Sequence, residues 1–175
     1  MPDLKDAYVA IAKLIDSIVR SEKQGHAAIV VRLTSILEYD QERSIKRKFR
    51  SLNKDKRNRL FEGYGPLSSF AAKIDIAYAL DITTDAIDKE LTLMRRIRNK
   101  FAHSKERLSL DEEPIKTLFC ELKRPPGATG SYVQQFVQCG VVLDDYLEAF
   151  LFRMGEREDL RIVDGKPLDV VEDVK

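Results

Sequence analysis

The run Arg98-Asn99-Lys100-Phe101-Ala102-His103 gathers the side chains of this chain best suited to chemistry. A histidine can move a proton near neutral pH, and an arginine can hold a phosphate through two parallel hydrogen bonds. Cleavage of an RNA phosphodiester would need both types. On a helix, Asn99 and His103 are four apart and share a face, and Arg95 extends that face one turn earlier. Arg98 lies about 140° around the helix from His103, so only the length of its side chain brings it toward the same place. Asp75, in the apolar segment Ala71–Tyr78, needs a partner if it is buried, and Arg98 and His103 are the candidates. Two readings stand. Arg98, Asn99 and His103 form a catalytic set, or Asp75, Arg98, Asn99 and His103 form a structural polar network at a helix C-terminus, where cations are favourable.

A second cluster is purely electrostatic. Arg43, Lys46, Arg47, Lys48, Arg50, Lys54, Lys56, Arg57 and Arg59 face one acid, Asp55, within 17 residues. Such a stretch can contact several phosphates of a nucleic acid, or it can be a solvated helix end balanced by acids elsewhere. Phe49 is its one aromatic residue, which gives little support for base stacking. The turn Gly63-Tyr64-Gly65-Pro66-Leu67-Ser68-Ser69 offers free amides at a helix start, but its spacing matches no phosphate loop. No Walker loop, nucleophile elbow, zincin motif or dinucleotide-binding glycine pattern is present. With two histidines and two isolated cysteines, no metal site and no cofactor are expected.

The elements that must position these residues read as helices. Leu4, Tyr8, Ile11, Ile15 and Ile18 recur at steps of three and four, with Asp3 as N-cap. A second helix spans about 22–42 through Ile29, Leu33, Ile36 and Leu37. After the glycine break, Pro66 opens a third helix that carries Leu67, Phe70, Ala71, Ile74, Ala77 and Tyr78 to about Asp81. Thr83 or Thr84 caps a fourth, with Ile87, Leu91, Met94, Ile97 and Phe101 inside. Asp111-Glu112-Glu113-Pro114 starts a fifth, with Ile115, Leu118, Phe119 and Leu122 at core spacing. The loop 124–130 feeds a last helix over 131–154, apolar nearly all round and therefore either central in the bundle or half of a contact between copies. The expected fold is all-α: one bundle-like domain of about six helices over 1–155. The tail 156–175 is expected to be irregular and loosely docked, with Val163, Leu168, Val170 and Val171 as a short strand-like strap. A helix-turn-helix over 67–101 fits poorly, because Asp88 and Glu90 would face the DNA backbone.

Composition bounds the rest. The 175 residues suffice for one domain, and a net charge of +1 gives no global field to steer the chain to nucleic acid. The N-terminal Met-Pro-Asp-Leu-Lys-Asp has no basic region followed by an apolar run, and no segment has the ~18 apolar residues of a membrane span. The expectation is a cytoplasmic protein with no membrane contact.

The run Phe61–Leu80 holds a Gly-Tyr-Gly-Pro-Leu-Ser turn and an Ile-Asp-Ile-Ala-Tyr-Ala-Leu helix. Met94–Ser104 ends in Ile-Arg-Asn-Lys-Phe-Ala-His. Together, in this order, they resemble the mannitol operon repressor family. The close likeness covers about 40 residues. It departs at Ser21-Glu22-Lys23-Gln24-Gly25, where the family is more acidic. The resemblance implies an all-helical cytoplasmic regulator of transcription, a repressor or co-repressor without a recognisable DNA-binding motif. Its partner would be another regulatory protein, with direct DNA contact a weaker alternative and self-association through 131–154 allowed. On that reading the chain is not an enzyme. The Arg98 to His103 spacing also resembles the signature of HEPN helical domains, some of which are metal-independent ribonucleases. That likeness implies Arg98 and His103 as catalytic.

Overall fold

The computed structural model describes residues 25–49, 51–104, 108–159, 162–163 and 166–167. The chain is all-α. Among the described residues there are six helices: α1 (His26–Lys48), α2 (Lys54–Phe61), α3 (Phe70–Ala79), α4 (Asp85–His103), α5 (Ile115–Glu121) and α6 (Tyr132–Asp159). One two-residue antiparallel ladder joins β1 (Ile162–Val163) to β2 (Lys166–Pro167). The expected helix over 4–18, the start at Glu22, Arg50, and Leu168, Val170 and Val171 lie outside the described residues.

Side-chain caps set three helix starts. Asn53 accepts from the Lys56 amide at 3.0 Å, Ser69 from Ala72 at 3.2 Å and Thr84 from Ile87 at 3.4 Å. Ser69 moves the start of α3 from the expected Pro66 to Phe70. Residues 65–68 instead fold back on α2, with the Leu67 amide donating to the Leu60 carbonyl at 2.8 Å. Gly65 is required there: a Cβ would lie 2.5 Å from the Leu60 carbonyl oxygen and 2.6 Å from that of Arg59. α3 ends in a Schellman turn. Ile82 N–H donates to the Ala77 carbonyl and Asp81 N–H to that of Tyr78, with Asp81 in the left-handed region at φ 53°. Ile82 follows into the core.

The basic stretch, expected to be a phosphate contact or a solvated helix end, contains a separate short helix, Lys54–Phe61. It is polar over most of its length and is anchored at its end by Phe61 and the half-buried Leu60. α1 also runs six residues beyond the expected Glu42, to Lys48, and α6 runs five beyond Met154.

α1 is the central helix, packed against α6, α4 and α3. The main core joins Val30, Leu33 and Leu37 of α1 to Ile74, Leu91, Met94, Ile97, Phe119 and Phe136. A second cluster of Ile45, Phe61, Ala77, Ile82 and Phe150 closes the end where α2 sits. Successive contacts show that α1 and α6 run parallel. Leu33 meets Gly140, Asp40 meets Asp144, Arg43 pairs with Glu148, and the Lys48 ammonium lies 5.8 Å from the Phe150 ring centre. A Cβ on Gly140 would overlap the buried Leu33 side chain. Gly140→Ala is therefore expected to lower stability by about 1–3 kcal/mol, the cost of overpacking a filled core. Urea denaturation checks this through the midpoint, with the slope unchanged.

Candidate functional site

The segment 63–103 carries a buried ion network, but not the expected one. Its centre is Lys73, whose side chain is 6% exposed. The ammonium lies 3.1 Å from a Glu38 oxygen and 2.8 Å from a Glu42 oxygen, both on α1. Lys46 also pairs with Glu42, and Arg98 reaches Glu38 at 3.8 Å. Burial alone would lower the Lys73 pKa, but its bonds to Glu42 and Glu38 outweigh burial and raise it. Glu42 is lowered: burial opposes its charge, and Lys46 and Lys73 overcome that. Three helices are thus tied by one charge cluster in a region of restricted solvent, where losing one partner strands the others.

The expected partners separate. Asp75 is exposed on α3 and pairs with neither Arg98 nor His103; the charge it acts on is Asp88. Arg98 turns inward to Glu38, with its Nε buried and unpartnered. His103 is exposed at the end of α4 and Asn99 is half-buried. The network of Asp75, Arg98, Asn99 and His103 is therefore replaced by Lys73, Glu38, Glu42 and Arg98. The catalytic set of Arg98 and His103 is not assembled within one chain, because the two face different ways, as their angular offset requires. The signal for Lys73 was in the sequence. Position 73 falls three after Phe70 and four before Ala77, on the stripe that enters the core, whereas position 75 points away from it.

The basic stretch divides. Arg43 is held by Asp40 at 2.7 Å and by Glu148. Lys46 is neutralised by Glu42 and lies 4.8 Å from the Phe61 ring centre. Lys48 lies over Phe150, and Arg47, exposed on α1, has an interaction of its own. Lys54, Lys56, Arg57 and Arg59 on α2 are exposed, and no ion pair among the described residues neutralises them. Beside them the Gly63–Gly65 turn presents Tyr64 fully to solvent. Phe49 does not offer a platform, since it is half-buried against Phe61, with ring centres 6.1 Å apart.

Where α1 and α6 cross, a second acidic pair is buried. Asp40 and Asp144 are 5% and 8% exposed and lie close enough to act on each other, and Asp144 Oδ1 is buried without a hydrogen-bond partner. Burial, then the neighbouring Asp40 carboxyl, push the Asp144 carboxyl up to about 7. Gln41, fully buried on α1, has neither amide atom hydrogen-bonded. At the N-terminus of α1, His26 Nδ1 accepts the Leu110 amide at 3.1 Å, which ties that end of the helix to the loop before α5. Among the described residues no group of three or more His, Cys, Asp or Glu could hold a metal ion. No helix among them is long and apolar enough to cross a membrane.

No family model, curated protein or solved structure matches the chain.

Two outcomes follow. Lys73→Met strands Glu38 and Glu42, and stability is expected to fall by about 2–3 kcal/mol. That is less than the ~3–5 of a fully enclosed pair, because Lys46 and Arg98 still face the two acids. Chemical denaturation at low and high salt measures it. The second concerns Asp144. Folding raises its proton affinity, so its stabilising effect is complete below about 4 and is lost as pH rises to about 7. Stability should therefore fall across that window by an amount on the order of 3 kcal/mol from this group. Asp144→Asn should remove that slope, read from urea midpoints between pH 4 and pH 8.

Proposed function

We propose that the chain is a regulator of the mannitol operon repressor type, cytoplasmic, that works by surface contact and without chemistry. The observation that carries this reading is the disposition of charge. The polar groups of the segment that bears the family likeness hold α1, α3 and α4 together through Lys73, Glu38, Glu42 and Arg98. Within the basic stretch 43–59, Lys54, Lys56, Arg57 and Arg59 of α2 stand exposed with no ion pair among the described residues, beside the exposed ring of Tyr64. A contact surface of Lys, Arg and Tyr fits a protein partner with an acidic face, and the same cations would serve a phosphate backbone.

The test is genetic and enzymatic together. Loss of the gene should raise transcription of the mannitol uptake and catabolism genes in its own cell, and Lys56→Glu with Arg57→Glu should reproduce that loss without lowering the melting temperature. Unchanged transcripts in the deletion would sink the reading. Purified protein should leave structured RNA intact. Cleavage that disappears in His103→Ala would establish a ribonuclease instead.

A further inference from the structure

A shallow cleft opens where the end of α3 and the start of α4 meet α6. It is lined by Tyr78, Asp81, Thr83, Thr84, Asp85 and Tyr146. The backbone that shapes it is fixed by the Schellman turn, with Asp81 held at φ 53° and Thr84 capping α4. Tyr146 is fixed as well, its hydroxyl donating to the Ile82 carbonyl at 3.2 Å. Tyr78 is about half exposed and donates its hydroxyl to Asp85 at 2.7 Å. Two aromatic rings and two carboxylates therefore stand around one opening.

Charge here is one-sided. Asp88 is close enough to act on Tyr78, and Asp75 and Asp85 act on Asp88; among the described residues no ion pair neutralises the four acids Asp75, Asp81, Asp85 and Asp88. Their mutual repulsion is felt: Asp88 is raised by burial and then by Asp75 and Asp85, and Tyr78 is raised first by its bond to Asp85. A second, independent observation lies in the cleft itself. Thr83 is 5% exposed, and its hydroxyl is buried with no hydrogen-bond partner. A buried hydroxyl left unsatisfied is costly, and a donor arriving in the cleft would satisfy it.

We infer that this cleft is a binding site for an organic cation, an alkylammonium or guanidinium group. Its N–H donors are shared among Asp81, Asp85 and the Thr83 hydroxyl, and its apolar stem lies against Tyr78 and Tyr146. Aromatic faces attract such cations, and carboxylates anchor their N–H groups. A bare metal ion fits less well, since the described residues provide no three-ligand cluster. The site is separate from the α2 surface and does not depend on what that surface contacts.

Calorimetric titration at constant ionic strength tests this with three probes: spermidine, N-acetylarginine amide and magnesium chloride. Saturable one-to-one binding of spermidine or of the arginine derivative is expected, and no comparable binding of magnesium. Tighter binding of spermidine assigns a free polyamine; tighter binding of the arginine derivative assigns a partner's side chain. Asp81→Asn with Asp85→Asn should weaken binding roughly tenfold or more, since charge-assisted hydrogen bonds are lost. Tyr78→Ala should weaken it several-fold and Tyr78→Phe should keep most of it. Circular dichroism confirms that each variant is folded, as expected for exposed positions. Absence of saturation with both organic cations, equal affinity for magnesium, or indifference to the Asp81 and Asp85 substitutions overturns the inference.

Discussion

The Lys73 ammonium sits between Glu38 and Glu42, and the remaining structure is arranged to make that position tolerable. A lysine at a core position is costly unless its charge is matched. Here the match comes from a neighbouring helix: Glu38 and Glu42 of α1 meet Lys73 of α3. Arg98 extends the constraint to α4 through Glu38, and Lys46 completes the coordination of Glu42. Apolar packing of Ile74, Leu91 and Met94 would hold these helices together in several nearby arrangements. The ion pairs are satisfied in the arrangement that brings Lys73 between Glu38 and Glu42.

Much of this could be read from the sequence, and the exceptions have physical causes. The stripe of Leu91, Met94, Ile97 and Phe101 is buried as its spacing implies, and the loop 124–130 breaks the chain where its prolines and glycines fall. The short helix α2 escaped because its pattern is almost wholly polar. Its existence rests on the Asn53 cap and on Phe61 reaching a core built by residues distant in sequence. Asp75 is misleading in the sequence because an acid in an apolar run implies a partner, yet its angular position takes it to solvent. Lys73 is inconspicuous for the converse reason: lysines are usually exposed, and only its place between Phe70 and Ala77 reveals its burial. The pairing of Arg98 with Glu38 could not be read at all, because it depends on how α4 crosses α1.

Charge is segregated across the molecule. Four cations occupy α2, and four acids gather around the turn from α3 to α4. The net charge of +1 conceals this, since the opposing surfaces cancel in the sum.

The parallel course of α1 and α6 has a consequence for how the protein is made. Arg43 and Glu148 are 105 residues apart in sequence. A ribosome that has delivered all of α1 must still add about a hundred residues before the helix that covers it emerges. During that interval Leu33 and Leu37 lack the surface that closes over Gly140, and Asp40 lacks Asp144. Among the described residues the structure is therefore closed by α6, and its most extensive helix–helix contact, α1 with α6, is one of long sequence separation. A nascent chain halted before α6 would leave the Leu33 side chain of its central helix uncovered, which makes it a natural client for a chaperone and a natural target for proteolysis.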